Sequence, residues 1–113
     1  MKIDEIIKFL NATCLTEKVD KDYNYAFASD LMSDVLALAS DAAILITGLN
    51  NPQIVRTAEM LDISLIILVR GKKPSEEILA IANETNITIL TTDMTMYETC
   101  GRLYNAGVLA LPI

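Results

Sequence analysis

Histidine is missing from the sequence, and its absence excludes several kinds of catalytic and metal site. Without imidazole the chain has no histidine general base, no Ser–His or Cys–His nucleophile pair and no histidine metal ligand. Cysteine occurs only twice, as Cys14 and Cys100. Two thiols do not make a structural zinc site on their own, and they do not indicate a disulfide framework. We therefore expect neither a metal nor a bound cofactor.

Positive charge and long apolar runs are also scarce. Nine Lys and Arg residues face fifteen Asp and Glu residues, which gives a net charge of −6. Nucleic-acid binding needs a cationic surface, so we expect no nucleic-acid partner. Apolar runs such as residues 65–69 are far shorter than the roughly 20 residues that cross a bilayer. No secretory signal follows Met1, and we expect a cytoplasmic protein without membrane contact.

Apolar residues, by contrast, are abundant. They make up 52% of the 113 residues, and the mean hydropathy is +0.38. This supply excludes a disordered chain, and the length is that of one ordinary domain. We therefore expect a single domain over residues 1–113.

Five segments of the chain carry helical signals. The segment over residues 31–39 is apolar around most of its circumference, so we expect it to be buried on more than one side. The predicted helices, each with its N-terminal signal, are Ile3–Leu10 (Asp4), 31–39 (Ser29-Asp30), 52–61 (Asn51 as N-cap and Pro52 as first residue), the helix opened by Pro74-Ser75-Glu76-Glu77, and the helix from Asp93 to about Asn105.

Strand signals alternate with these helices. Tyr23, Tyr25 and Phe27 alternate with smaller residues, which predicts three aromatic side chains on one face of a strand, as core or as an interface. A continuous apolar run over Ala43–Thr47 is typical of a buried parallel strand, residues 65–69 predict a second buried strand, and residues 87–91 predict a third strand. The predicted strands are 12–16, 23–28, Ala43–Thr47, 65–69 and 87–91, and the apolar tail over 108–113 is either an edge strand or a docking segment.

This alternation decides the fold class. Strand–helix–strand repeats require right-handed crossovers and give a parallel sheet with helices on both faces. We predict a three-layer α/β/α fold with a mostly parallel central sheet. Ligands of such sheets bind beyond the carboxyl ends of the strands, where three loops of this chain follow the three buried strands.

The first of these loops contains Thr47, Gly48, Asn50 and Asn51. A flexible glycine followed by amide groups at a helix N-terminus favours an anion. In the simpler interpretation, Gly48 makes the turn and Asn51 caps the helix. Neither the glycine-rich dinucleotide fingerprint nor the P-loop pattern is present.

The other two loops carry charge. Arg70 and Lys72, with Lys73 beside them, form the one dense basic spot of the sequence and are candidates to hold a phosphate. The alternative is a solvated loop that balances nearby acids. In the third loop Thr92 and Asp93 are candidate ligand contacts, although helix capping is the simpler role for Asp93.

The remaining acids do not predict an enzyme. Asp30 and Asp34 lie four residues apart and are a candidate Mg²⁺ pair, but capping by Ser29 or Asp30, with Asp34 in solvent, is simpler. Asp93 lacks a partner for acid–base work. Because adjacent motifs assemble no nucleophile–base pair, we expect no catalytic residues, and a small enzyme that uses these three acids is the outside alternative.

The last predicted helix has two further features. Gly101 costs about 1 kcal/mol of helix stability relative to alanine, which a close approach of another helix or of the sheet would explain. Cys100 beside it is expected to be a buried structural thiol. The apolar side chains of this helix span more than one face, so part of them can pack on a second subunit, although core is the simpler role for most. They are Met94, Met96, Tyr97, Leu103 and Tyr104.

Two short motifs carry a family resemblance. Ser-Asp-Leu-Met-Ser-Asp-Val over residues 29–35 and Gly-Arg-Leu-Tyr over residues 101–104, in order with the loop over 47–53 and the strand over 65–69, resemble the DRTGG domain family. The eponymous Asp-Arg-Thr-Gly-Gly segment is absent, since Gly48-Leu49-Asn50-Asn51-Pro52 stands in its place. The resemblance implies a fold similar to the N-terminal domain of HPr kinase/phosphorylase, which carries no kinase active site.

The function that the resemblance implies is regulatory. Family members lie between paired CBS domains of regulatory pyrophosphatases, where they help dimerisation and adenine-nucleotide control. We therefore expect a non-catalytic, homodimeric interaction module, accessory to a larger enzyme or to a protein partner in a redox or signalling system. The alternative is a sensor of adenine nucleotides, including diadenosine polyphosphates. In that sensor the first loop would line the adenine, and Arg70 and Lys72 would meet the phosphates.

Overall fold

The computed structural model describes residues 1–40 and 43–112, and within them the chain forms five helices and six strands. In chain order these are α1 (Ile3–Leu10), β1 (Thr13–Cys14), β2 (Tyr25–Ala28), α2 (Met32–Leu38), β3 (Ala43–Thr47), α3 (Pro52–Met60), β4 (Leu65–Leu68), α4 (Glu76–Glu84), β5 (Thr88–Thr91), α5 (Met96–Asn105) and β6 (Leu109–Ala110). None of these helices, and no other within the described ranges, is long and apolar enough to cross a membrane.

The strands form one sheet in the order β1-β5-β4-β3-β2-β6. All neighbouring pairs are parallel except β1 with β5. In the centre Leu45 lies opposite Ile66, and Ile66 lies opposite Ile89. Every residue of β3 and β4 is buried, as continuous apolar runs require when helices cover both faces. The predicted mostly parallel sheet is confirmed.

Helices cover the sheet on both faces. Side chains of α1 and α5 form one core with Ile44 and Ile46, while α2, α3 and α4 form the other core with Leu45. Successive residues of β3 thus alternate between the two cores, as the period of a strand dictates. The predicted three-layer α/β/α fold is confirmed.

The predicted cap of α3 is correct, and α4 has a side-chain cap as well. The Asn51 Oδ1 accepts a hydrogen bond from the Gln53 backbone N–H at 3.0 Å, and the Ser75 Oγ accepts one from the Ile78 N–H at 3.3 Å. Each side chain satisfies an amide group that has no partner inside its own helix. Pro52 is the first residue of α3, where its fixed φ suits the helix.

The prediction that Asp4 caps α1 is wrong. The helix already begins at Ile3, so Lys2 is the N-cap residue, and the Glu5 carboxylate accepts from the Lys2 N–H at 3.1 Å. Asp4 instead forms an ion pair with Lys18 at 2.7 Å. That hydrogen bond raises the pKa of the Lys18 ammonium above its ordinary value.

Asp93 does not cap α5 either. Thr95 does so, its Oγ1 accepting from the Glu98 N–H at 3.2 Å. The helix begins later than predicted because the chain first pairs with the loop after β4. There the Met94 carbonyl accepts from the Arg70 N–H at 2.8 Å.

The helix α2 differs from its prediction in two ways. Its N-cap residue is Leu31, and no side chain caps it, because the Ser29 Oγ accepts from the Leu31 N–H before the helix begins. Only Met32 and Val35 are buried, so burial on more than one side is wrong. Among the helices α2 packs mainly against α3, at one end of its layer. Its other apolar residues, Leu31, Leu36 and Leu38, are therefore exposed.

The three aromatic residues near β2 do not share a face. Tyr23 precedes the strand and belongs to the core beneath α1 and α5, whereas Tyr25 and Phe27 pack against the opposite core. The other predicted strand ends shift by one or two residues: β1 is shorter than 12–16, β4 ends at Leu68, and β5 begins at Thr88. Of the two alternatives for the tail, the structure has the edge strand, which is β6, whereas Ile113 lies outside the described residues.

Tyr23 supplies a test of this packing. Its hydroxyl donates to the Val19 carbonyl at 3.0 Å, and burial raises the pKa of the phenol. The neutral phenol therefore contributes stability below its ordinary pKa of about 10, and this stability is lost as pH rises through the raised folded-state value.

We expect Tyr23→Phe to lower the free energy of unfolding by about 1 kcal/mol near neutral pH, because a buried hydrogen bond is lost. The variant should also lose less stability than the wild type between about pH 7 and about pH 11, where the phenol ionises. Urea unfolding at both pH values measures this. Tyr25→Phe is the matched control and should change little. An unchanged alkaline dependence in Tyr23→Phe would contradict the assignment.

Candidate ligand site at the carboxyl ends of the strands

Four loops meet at one edge of the sheet. The strands β2, β3, β4 and β5 are neighbours and parallel, so the segments that follow them lie side by side. We call this edge the rim and define it by residues 29–31, 47–51, 69–75 and 92–95. The three loops singled out in the sequence belong to it, together with a fourth loop after β2.

Asp30 in this fourth loop is the residue that the sequence did not place here. Its Oδ1 accepts from the Gly48 backbone N–H at 2.7 Å and from the Thr47 hydroxyl at 3.0 Å. Hydrogen bonds to a carboxylate are about twice as strong as neutral ones, so this side chain ties the β2 loop to the β3 loop. Capping of α2 by Asp30 is therefore wrong. Asp34 is exposed on α2, as predicted.

The guanidinium of Arg70 lies across Gly48. A Cβ atom built on Gly48 would stand 2.5 Å from the Arg70 Nη2, so a larger residue would have to displace the guanidinium. Arg70 itself has φ of 60°, in the left-handed region. Of the four ion pairs among the described residues, none includes Arg70. The structure thus holds a cation over the first loop without a paired carboxylate.

The loop after β4 continues against the loop after β5. Gly71 has φ of 66°, and a Cβ atom built there would lie 2.9 Å from the Asp93 Oδ1, so the carboxylate of Asp93 sits against this glycine. The Thr91 hydroxyl donates to the Lys72 carbonyl at 2.8 Å, which fixes the basic segment to β5. Arg70 and Asp93 are thereby brought to one rim.

The other predicted contact residues have structural roles. Thr92 is 2% exposed, and its hydroxyl donates to the Leu10 carbonyl at the end of α1, so its side chain is buried beneath the rim. The Asn50 Nδ2 donates to the Lys73 carbonyl at 3.0 Å, and Asn51 caps α3. The Lys72 side chain is half-buried and joins no ion pair of the described residues.

The rim offers anion binding as its chemistry. It presents the Arg70 guanidinium over Gly48, and a guanidinium favours negative charge. No cluster of three acidic or thiol side chains that could hold a metal ion occurs among residues 1–40 and 43–112. Cys100 lies elsewhere, half-buried in α5, where burial raises the pKa of its thiol.

Comparison with known proteins identifies the domain type. The sequence profile of the DRTGG domain matches residues 5–106. The fold also matches a crystal structure of the CBS and DRTGG domains from the regulatory region of Clostridium perfringens pyrophosphatase, complexed with its activator, diadenosine tetraphosphate. The match has a TM-score of 0.78 at 23% identity and covers 97% of this chain and 48% of that chain. This chain thus spans about half of that relative. No curated protein matches the sequence.

Asp30 gives the sharpest test of how the rim is built. We expect Asp30→Ala to lower the free energy of unfolding by about 1–3 kcal/mol, because the Gly48 N–H loses its acceptor. Asp34→Ala, which removes an exposed acid from the adjoining helix, is the matched control and should stay within about 0.5 kcal/mol of the wild type. Urea titrations of the three proteins decide, and equal stabilities would contradict the described contact.

Proposed function

The chain belongs to the DRTGG domain family, and from this premise we propose that it is a regulatory domain with no catalytic activity of its own. We propose further that it acts as a homodimer, accessory to a larger enzyme or to a partner in a redox or signalling system.

The main support for this proposal is that the polar side chains at the rim form hydrogen bonds between loops. The Asp30 carboxylate and the Thr47 and Thr91 hydroxyls hold loops to one another, and so does the Asn50 amide. General acid–base catalysis needs a free group with a partner that tunes it. A rim whose polar groups maintain loop geometry suits binding and signalling better than turnover.

Self-association is supported by apolar surface. Tyr97 is 89% exposed, Tyr104 is 65% exposed, and Leu109 at the sheet edge is 53% exposed. Large apolar side chains that lie close together on a surface commonly mark a protein interface. The chain carries a net charge of −6, and these three apolar side chains form an uncharged region of its surface where a second protein can dock.

Light scattering tests the homodimer directly. At micromolar concentration we expect a mass of twice 12.4 kDa. We also expect no product when the protein is incubated with ATP, pyrophosphate or diadenosine tetraphosphate. A mass of 12.4 kDa contradicts the dimer. Turnover that Asp93→Ala abolishes contradicts the non-catalytic assignment.

A second function, adenine-nucleotide sensing, is favoured by the Arg70 guanidinium over Gly48. This cation has no carboxylate partner among the described ion pairs and lies over the loop that follows β3. The similar pyrophosphatase region binds diadenosine tetraphosphate. In this proposal Arg70 and Lys72 meet phosphates. The adenine lies along Gly48, Asn50 and Asn51, with Asp93 at the margin. Thr47 and Thr92 support these loops from behind, because both side chains are buried and their hydroxyls donate to Asp30 and Leu10.

Calorimetric titration with diadenosine tetraphosphate and with ATP tests this sensing function. Arg70→Ala should weaken binding by about 10–100-fold, since a hydrogen bond to a charged group contributes about 1.5–3 kcal/mol. Gly48→Ala keeps the charge but displaces the guanidinium, and should weaken binding in the same direction. Arg56→Ala removes an exposed arginine of α3 and is the control. Undiminished binding in Arg70→Ala, or no binding to the wild type at millimolar nucleotide, contradicts the proposal.

A further inference from the structure

Gly101 has no role inside the described chain that explains it. The predicted close approach of another element is wrong, because a Cβ atom built on Gly101 would meet no atom within 4 Å apart from its own helix and neighbours. Glycine destabilises a helix interior relative to alanine. The space above Gly101 is therefore left open at a cost to α5.

Two tyrosines flank this open space. Tyr97, Gly101 and Tyr104 occupy positions i, i+4 and i+7 of α5, which places them along one stripe. Both tyrosines are mostly exposed, so the glycine forms a notch between two projecting aromatic side chains. We call this stripe, together with the groove described next, the α5 face.

An apolar groove adjoins the notch. It has a volume of about 180 Å³, and its lining includes Ala26, Ala28, Cys100, Leu103, Tyr104 and Leu109. Among the described helices only α1 and α5 cover this side of the sheet, and the small side chains of β2 leave the space beside α5 unfilled. This volume is of the size that holds an aromatic ring, since an apolar cavity of about 150 Å³ accepts benzene.

Charge favours a second copy of the chain as the occupant. Two copies each carry −6, so they meet best where neither presents unpaired charge. The charged side chains along this part of α5 are Glu98 and Arg102, and they pair with each other at 3.0 Å. The exposed apolar residues of α2 surround Asp34, and α2 carries no basic residue to pair with it. Two copies that met through α2 would therefore bring two negative charges together.

The area and the open sheet edge agree with this choice. Aromatic side chains bury about 150–250 Å² each, so two tyrosines supply about half of the roughly 800 Å² per partner of a stable interface.

Pairing of two copies through the free edge of β6 is less suitable. The Leu109 and Leu111 backbone N–H groups donate to the carbonyls of Asn24 and Ala26. The backbone of Ala110 and Pro112 therefore faces the free edge, where proline has no N–H to donate.

We propose that the α5 face is the surface on which two copies of this chain dock. The inference rests on the proposed homodimer and names its interface. The two α5 helices cross antiparallel at Gly101, and Tyr97 of each copy packs against Tyr104 and the groove of the other. The projecting ring and the groove lie on the same surface, as a two-fold symmetric interface requires.

Solution mass across a dilution series tests the interface. Gly101→Gln adds bulk at the crossing with a better helix former, and Tyr97→Ala removes an exposed ring, so neither should prevent folding. Each should weaken dimerisation at least about tenfold, while circular dichroism stays that of the wild type. Leu36→Gln alters the exposed residues of α2 and should leave the mass unchanged.

Cross-linking supplies a second readout. In a Cys14→Ser, Cys100→Ser background, Gly101→Cys should form a covalent dimer on oxidation, because the crossing brings the two positions within disulfide reach. Ala37→Cys, exposed on α2, is the control and should not cross-link. A wild-type dimer that Gly101→Gln and Tyr97→Ala leave intact overturns this interface but keeps the homodimer. A monomeric wild type overturns both.

Discussion

Burial of β3 and β4 on both faces is the constraint on which the rest of the structure depends. Two parallel strands made wholly of buried residues cannot exist at a surface, so helices must cover each side. Parallel strands need a crossover between them, and each crossover returns the chain to the same end of the sheet. The loops that leave β2, β3, β4 and β5 are therefore gathered at one rim.

The unequal covering of the two faces creates a second surface. Of the described helices, three lie on one side and two on the other, and a groove remains between α5 and the strands β2 and β6. The rim is polar and carries Arg70 over Gly48, whereas the α5 face is apolar and bears no unpaired charge. In the proposed regulatory role, the polar rim receives a signal and the apolar α5 face contacts a partner.

The sequence predicts those structural features that depend on residues close together along the chain. The continuous apolar run at Ala43–Thr47 identifies a buried strand, and Asn51 before Pro52 identifies a cap, because in each case the partners lie within a few residues. The role of Asp30 could not be predicted, since its partner Gly48 is 18 residues away and becomes a neighbour only through the strand order. Gly101 is similar: its open surroundings become visible only when the helices are packed.

Hydrogen–deuterium exchange as a function of protein concentration tests the central claim, a regulatory domain that self-associates through the α5 face and leaves its rim free. On dilution we expect exchange to accelerate across α5 and β6, while residues 47–51 and 70–73 keep the same rates until diadenosine tetraphosphate is added. Exchange in α5 that does not depend on concentration, or concentration-dependent protection confined to the rim, would contradict the account.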